Sequence, residues 1–274
     1  MKTVQKLLLP LLYITSIGTV WISANFPSYA YLLHFMTQEN GFFESLSVLF
    51  LLAITAYGVY TLRAHTLRRY FRWLVGLFSG LTFLAAMEEI SWGQQLFHFH
   101  SSAFFMKANL QHETNLHNLV DANLFSSVIY SSVYTLLVFM PLLVKFLPPT
   151  LLQRYHFLRF FDINPHTILV VLFASVFQIY FYDDFGVWMD MVTHLGALGL
   201  FGLYLIRKKS SIWLKLHYGF VLLATVISMA SHEVYRFENM QYEIREMFVV
   251  LAVLLIFVEQ IKKERNEKGS MDYR

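Results

Sequence analysis

Carboxylates and histidines recur beside apolar segments of this sequence, where they could take part in acid–base or metal chemistry. Four groups meet this description: Glu88 with Glu89, Glu113 with His117, Asp190 with His194, and His232 with Glu233 ahead of Glu243 and Glu246. Side chains of these types transfer protons in catalysis and hold divalent cations. We therefore predict a catalytic set of Glu88, Glu89, Glu113, His117, Asp190, His194, His232, Glu233 and Glu246. If a divalent metal is bound, its predicted ligands are Glu89, His117, His194 and His232.

Two of these groups have the four-residue spacing that places side chains on one helical face. Glu113, His117 and Asp121 would share such a face if their segment were helical, and so would Asp190 and His194. Each group also has a structural explanation. An exposed Glu–His pair adds only about a few tenths of a kcal/mol to helix stability, and His194 could be a neutral core histidine bonded to Asp190.

The segments that carry these groups have the composition of membrane-spanning helices. Of 274 residues, 57% are hydrophobic and 14% are charged, against about 25% charged residues in soluble domains. Such a chain has more apolar surface than a soluble fold could bury. With no cysteine, disulfides, thiolate metal sites and cysteine nucleophiles are excluded. A span needs about 20 mostly apolar residues, and the predicted spans are residues 7–23, 43–62, 71–87, 124–147, 168–182, 187–206, 216–230 and 247–258.

The basic residues predict the orientation of these eight spans. Lys and Arg accumulate in cytoplasmic loops. With a cytoplasmic N-terminus, only Lys107, Arg236 and Arg245 fall outside, and 18 of the 21 basic residues stay inside. We therefore predict a multi-pass protein of the cytoplasmic (inner) membrane with both termini in the cytoplasm.

The acidic residues fall on the opposite side of the predicted membrane. By the same topology, 13 of the 18 carboxylates lie outside or at outer helix ends, although acidic residues have little influence on insertion. The four titratable groups lie on different segments but at the same predicted depth in the membrane. This arrangement favours one shared functional site over four separate structural roles.

The two halves of the chain resemble each other. LAAMEEISWGQQ aligns with SMASHEVYRFEN at an offset of 144 residues, which pairs Glu89 with Glu233. Halves with an even number of spans would be parallel repeats. The predicted fold is an all-α polytopic bundle of two four-span halves, residues 1–150 and 151–262, with a cytoplasmic tail at 263–274.

Two resemblances to known families rest on these motifs. The first is a resemblance to an uncharacterised group of bacterial multi-pass membrane proteins. It lies within residues 84–125 and rests on the motifs EEISWGQ and NLQHETNLHN. The resemblance implies a membrane fold without an established activity. The C-terminal half is similar to VanZ-like membrane proteins, through Asp190 and His194 in WMDMVTH and through Glu233. Met191 stands where that family carries a lysine.

Known signatures of membrane enzymes are absent from the sequence. His232 and Glu233 are not followed by the second histidine of a zinc HExxH helix, and Gly93 occupies the arginine position of the EExxxR motif of CAAX-type proteases. There is no GxSxG elbow, Walker loop or dinucleotide fingerprint. We therefore expect neither nucleotide nor nucleic-acid partners.

Three functions remain. The favoured one is an integral membrane enzyme that acts on a lipid or lipid-linked substrate at the extracytoplasmic face, through general acid–base or metal-assisted chemistry of the Glu/His/Asp cluster. The others are a proton- or cation-coupled transporter and a non-catalytic accessory subunit. A transporter typically has broken helices near mid-membrane, whereas the polar groups here lie near one surface, which favours the enzyme. The substrate, the cofactor and the oligomeric state stay open.

Overall fold

The fold is helical throughout the described part of the chain. This computed structural model describes residues 2–26, 28, 31, 35–36, 41–65, 67–97, 99–109, 114–116, 119, 128, 131–178, 185–230 and 240–271. Within these ranges there is no β-strand. The predicted all-α class is therefore confirmed for this part of the chain.

The described part of the chain forms eleven α-helices, and the longer ones coincide with predicted apolar segments. They are α1 (Lys2–Asn25), α2 (Phe42–Ala64), α3 (Arg69–Glu89), α4 (Gln94–Phe97), α5 (Ala103–Ala108), α6 (Met140–Phe146), α7 (Pro149–Arg154), α8 (Pro165–Ser175), α9 (Phe185–Arg207), α10 (Ile212–Ala230) and α11 (Met240–Met271). Short 3-10 turns cover Ser91–Gly93, His156–Phe161 and Val176–Gln178, and a π-helical turn, Thr135–Phe139, precedes α6. Each of the eight predicted spans overlaps one of these helices.

Among the described residues, three helices are long and apolar enough to cross a membrane. These are α2, α3 and α10, with 23, 21 and 19 residues. At about 1.5 Å per residue, such helices match a hydrocarbon core of about 30 Å. The apolar stretches Leu9–Ile22, Ser131–Phe146, Pro165–Ser175 and Met191–Arg207 are shorter. The three long apolar helices indicate a membrane protein.

One compact unit comprises residues 1–44 and 172–248. Its core is aromatic: the Tyr13 ring stacks on Phe173 with centroids 3.8 Å apart, and Phe177 and Phe248 pack against Phe173. The Tyr13 hydroxyl lies 2.9 Å from Nε2 of His217 on α10. Because a buried tyrosine hydroxyl needs a polar partner, this bond fixes α1 against α10 within the unit.

The second compact unit comprises residues 45–171 and 249–274. Its hydrophobic core is formed by Ile54, Leu67, Phe71, Val75, Phe257 and Ile261. The helices α2 and α3 approach closely at Gly58, where an added Cβ would lie 1.9 Å from the Ser79 hydroxyl oxygen. Nearby, the hydroxyl oxygens of Thr55 and Thr82 are 3.1 Å apart. Small residues and hydroxyl pairs of this kind are typical of helix packing in membranes.

The same unit contains an ion-pair network between the α2–α3 connection and the end of α11. Arg68 donates from Nε to Glu264 at 2.7 Å, from Nη2 to the second Glu264 oxygen, and from Nη2 to Glu267 at 3.0 Å. The Glu264 side chain is only 3% exposed. Hydrogen bonding to Glu264 raises the pKa of the Arg68 guanidinium, so Arg68 stays charged. The contact joins segments 196 residues apart.

The predicted repeat between residues 1–150 and 151–262 stays a prediction. Its key pair is Glu89 and Glu233, and Glu233 lies outside the described residues. Both compact units combine early and late segments of the chain. Superposition of the two halves therefore needs residues that the structure does not describe.

Candidate functional site

A hydrogen-bonded polar cap forms at the carboxyl end of α3, within the second compact unit. The cap comprises Glu88, Ser91, Trp92, Gln94, Ser101, Asn109, Thr114, Asn115 and Leu116. These residues belong to the EEISWGQ motif, the segment after it and the NLQHETNLHN motif. The structure therefore brings the two motifs together.

The chain reverses through a left-handed turn directly after α3. Ser91, Trp92 and Gly93 have φ angles of +46°, +55° and +86°. Positive φ is uncommon in non-glycine residues and is an outlier for a bulky side chain such as tryptophan. Such residues cost on the order of 1–3 kcal/mol each and persist only where surrounding contacts impose them. Strain of this kind clusters at functional sites.

The Glu88 carboxylate is held by donors from two directions. The indole Nε1–H of Trp92 donates a hydrogen bond to Glu88 Oε1 at 2.6 Å, and the backbone N–H of Leu116 donates one to Oε2 at 2.5 Å. An ionised carboxylate accepts at both oxygens. Glu88 therefore fixes the strained turn and the NLQHETNLHN segment to the end of α3.

Gln94 organises the loop that follows the turn. Its Oε1 accepts from the backbone N–H of Thr114 at 2.8 Å and from the Ser101 hydroxyl at 3.0 Å. The hydroxyl oxygens of Ser101 and Thr114 are 3.1 Å apart. These bonds close the segment between Gln94 and Ser101 into a loop with a defined position.

Two buried asparagines complete the cap. Asn109 donates from Nδ2 to the Asn115 backbone oxygen at 3.0 Å and to its side-chain oxygen at 2.7 Å. The Asn115 amide nitrogen in turn donates to the Ser91 hydroxyl at 3.2 Å. Each asparagine is 2% exposed. Because unbonded buried amides are costly, this chain of bonds specifies one arrangement of the three segments.

A shallow apolar groove runs along α3 towards the cap. It has a volume of about 380 Å³ and is lined by Gly76, Leu77, Gly80, Leu81, Phe83 and Leu84. Leu77, Leu81, Leu84 and Glu88 follow each other at steps of four, three and four residues and so share one helical face. An added Cβ at Gly80 would meet nothing within 4 Å. The groove therefore leads to the Glu88 end of the helix.

The predicted site residues fall into three classes. Glu88 and Glu89 lie together at the end of α3, with Glu88 in the cap and Glu89, half-buried, beside it. His194 and Glu246 belong to the first compact unit. Outside the described residues lie Glu113, His117, His232 and Glu233, together with the Asp190 side chain. Convergence of all nine residues stays a prediction.

The shared face expected for the second group required its segment to be helical, and residues 114–116 are not helical. The physical reason is the cap itself. The backbone N–H groups of Thr114 and Leu116 donate to Gln94 and Glu88 rather than to carbonyls one helical turn earlier. Glu113, His117 and Asp121 lie outside the described residues, so their grouping stays a prediction.

His194 is a fully buried histidine with a hydroxyl partner on the neighbouring helix. Its Nε2 lies 3.1 Å from Oγ1 of Thr225, and that hydroxyl donates its single hydrogen to the Val221 carbonyl at 2.9 Å. With that hydrogen directed at Val221, Nε2 is the donor in its bond to Thr225. In this arrangement the predicted metal role of His194 would have to use Nδ1.

No cluster of three His, Asp or Glu side chains that could hold a metal ion occurs among the described residues. Of the predicted ligands, Glu89 and His194 have described side chains, and they belong to different compact units. His117 and His232 lie outside the described residues. The four-residue metal set therefore stays a prediction.

Apart from Glu88, sequence reasoning missed the residues that build the cap. Gln94 and Ser91 were visible within the EEISWGQ motif, but their partners depend on tertiary structure. Gly93, directly after an apolar helix, is a helix-terminating signal and could have located the reversal. No residue preference predicts the left-handed conformation of Trp92.

Comparisons with protein families, curated proteins and solved structures find no match to this chain. The resemblances of EEISWGQ, NLQHETNLHN and WMDMVTH therefore stay expectations.

We expect Gly93→Ala to destabilise the cap by about 1–3 kcal/mol. Alanine is strained at positive φ, and its Cβ would lie 3.1 Å from Cδ2 of Phe97. Amide hydrogen exchange at Leu116 should become faster in the variant. The matched control is Gly80→Ala on α3, where helical φ and open space should make alanine neutral or slightly stabilising. Equal exchange rates in both variants would contradict a strained turn at Gly93.

Proposed function

We propose that this chain is an integral membrane enzyme that acts on a lipid or lipid-linked substrate at the extracytoplasmic face. The observation that carries the proposal is the strained, hydrogen-bonded cap at the end of a membrane-length helix. Two non-glycine residues with positive φ stand there beside adjacent carboxylates. A site of this kind is preorganised, because its hydrogen bonds leave the turn only one conformation.

The groove on α3 supports a substrate with an acyl or polyprenyl chain. It is lined by apolar side chains and two glycines, and it shares a helical face with Glu88. A chain lying in this groove would direct its polar end to the cap. Ligand sites commonly combine an apolar wall with a few polar groups that set orientation.

The two glutamates receive different roles in this proposal. Glu88 is the positioning residue, because both of its oxygens accept N–H bonds that hold the turn and the Leu116 segment. Glu89 is the general acid or base, because it stands next to that fixed group and is half-buried. Proton transfer by a positioned carboxylate contributes typically about 10²–10⁴-fold to rate.

The proposed function requires a topology of eight spans, with both termini in the cytoplasm and the cap on the extracytoplasmic side of the membrane. Its support is the distribution of the 21 basic residues over the predicted loops, together with a helix at each predicted span. The inner membrane follows from the same distribution, since the positive-inside rule applies to helical proteins inserted there.

Reporter fusions test this topology. Fusions after Arg68, Arg154 and Lys209 should report a cytoplasmic position, and fusions after Ser102 and Asn239 an extracytoplasmic one. The physical basis is the cost of translocating basic loops. One reversed signal among the five would break the eight-span arrangement.

A second candidate function is proton- or cation-coupled transport, and a specific observation favours it. The first compact unit buries polar pairs among apolar helices: Tyr13 with His217, and His194 with Thr225. Ionisable side chains at membrane depth often mark ion pathways. A proton flux in proteoliposomes that is lost in His194→Ala but retained in Glu89→Gln would favour the transporter.

The enzyme proposal is tested with purified protein in nanodiscs made from total bacterial lipid extract. Mass spectrometry should show that one lipid class is consumed and one product class is formed over time. Heat-denatured protein in the same nanodiscs is the blank. The proposal is overturned if the active preparation leaves every lipid and lipid-linked species unchanged.

A further inference from the structure

Exposed apolar side chains recur in the segment between Gln94 and Asn109 of the polar cap. The aromatic loop is defined here as Phe97 together with residues 99–106. Phe97 is 79% exposed and Phe104 is 62% exposed, and Phe99 and Met106 are also exposed. All four come after Glu89, the last residue of α3, in the sequence. Exposed apolar patches mark sites of contact with a protein partner or with a membrane.

We propose that the aromatic loop is an interfacial anchor that embeds in the lipid leaflet next to the polar cap. Aromatic residues are enriched at the level of lipid headgroups, where an apolar ring is buried and polar groups stay hydrated. The inference goes beyond the catalytic proposal and does not depend on it, because it rests on exposure and on membrane location alone.

The helix α5 supports a lipid environment. Its six residues, AFFMKA, include two phenylalanines and a methionine, and none of the six is buried. Isolated helices shorter than about 12–15 residues are marginal in water. Amphipathic segments gain helical structure by placing apolar side chains at the membrane interface. Lipid contact at Phe104 and Met106 would supply the burial that the protein does not provide.

Hydrogen bonds hold the loop in a fixed position. Ser101 is bonded to Gln94 and lies 3.1 Å from the Thr114 hydroxyl oxygen. Phe97 packs beside Gly93, where an added Cβ would lie 3.1 Å from its ring. The exposed aromatic side chains are therefore presented by an ordered segment, as an anchor requires.

Lipid is the occupant that the surroundings favour. The exposed face of α3, with Leu77, Leu81 and Leu84, is continuous along the chain with the loop, and α3 is a membrane-length helix. Lys107, directly after the loop, is an exposed basic residue. A lysine in this position can extend its amine to lipid phosphates while its stem stays in apolar surroundings.

Site-directed spin labelling tests the anchor directly. The chain contains no cysteine, so Phe97→Cys and Phe104→Cys each give a single labelling site. The labelled full-length protein is placed in nanodiscs of phosphatidylethanolamine and phosphatidylglycerol. Collision with oxygen reports lipid exposure, and collision with a soluble nickel chelate reports water exposure. Leu81→Cys on α3 is the lipid reference, and the exposed Arg265→Cys on α11 is the aqueous reference.

Both loop positions should resemble the lipid reference. The ratio of oxygen to nickel accessibility at Phe97 and Phe104 should be several-fold higher than at Arg265 and approach that at Leu81. Because the replaced side chains are exposed, folding should be retained, and the Leu81 signal verifies insertion in the same lipid. Ratios equal to that of Arg265 at both positions overturn the proposal. Labels inaccessible to both reagents also overturn it, because they would indicate a protein partner.

Discussion

Glu89→Gln should lower turnover by about 10²–10⁴-fold while leaving the protein folded and inserted. A glutamine at this position keeps the size and polarity of the side chain but cannot exchange a proton, and the expected loss is that of one positioned acid or base. The measurement is the rate of product formation in nanodiscs, followed by mass spectrometry. KM should change little, because binding is assigned to the α3 groove and not to the carboxylate.

Glu88→Gln is the matched control for this substitution, one residue earlier on the same helix. Its amide oxygen can accept only from one side, so either Trp92 or the Leu116 backbone loses its acceptor. Hydrogen bonds to charged groups contribute about 1.5–3 kcal/mol each, so the cap should loosen. Faster amide exchange at Leu116 should accompany the loss of activity in Glu88→Gln and be absent in Glu89→Gln. Full turnover in Glu89→Gln would refute the assigned role.

The second large effect concerns stability. Arg68→Ala should lower the free energy of unfolding by about 2–4 kcal/mol, because it leaves the Glu264 carboxylate buried without its guanidinium. The value lies below the loss of about 3–5 kcal/mol for a fully buried pair, since the Arg68 side chain is 36% exposed and solvent screens the charge. Thermal unfolding in detergent measures the change.

Two further variants distinguish the stability contribution of the Arg68–Glu264 ion pair from the general effect of removing a positive charge. Arg265→Ala removes an exposed basic residue next to Glu264 on α11, and surface substitutions of this kind usually change stability by less than about 0.5 kcal/mol. The double variant Arg68→Ala with Glu264→Leu should recover much of the loss, because replacing both partners of a buried pair is often near neutral. Equal losses in Arg68→Ala and Arg265→Ala would show that the pair does not stabilise the unit.

The helices were predictable because their signal is local. An apolar run of about 20 residues identifies a span without reference to any other part of the chain, and a helix overlaps every predicted segment. The adjacency of EEISWGQ and NLQHETNLHN was suggested by their position between two apolar runs. The sequence alone therefore indicates Glu88 and Glu89 as candidate site residues.

The detailed geometry of the cap was not predictable from local signals. The four-residue spacing of Glu113 and His117 is typical of a helix, whereas residues 114–116 are not helical and Asn115 bonds to Asn109 and Ser91. These partners are 6 and 24 residues away in the chain, and no periodic pattern encodes them. The left-handed turn likewise depends on the donors and acceptors that surround it.

The bond between Arg68 and Glu264 has a consequence for biosynthesis. The two residues are separated by 196 positions, and the core of the same unit pairs Phe71 with Phe257 and Ile261. At about 5–20 residues per second, a ribosome needs roughly 10–40 s to reach Glu264 after it has made Arg68. During that interval the α2–α3 hairpin carries a guanidinium without its carboxylate and an apolar face without its partners. The core of the second compact unit can therefore be completed only after α11 has been made.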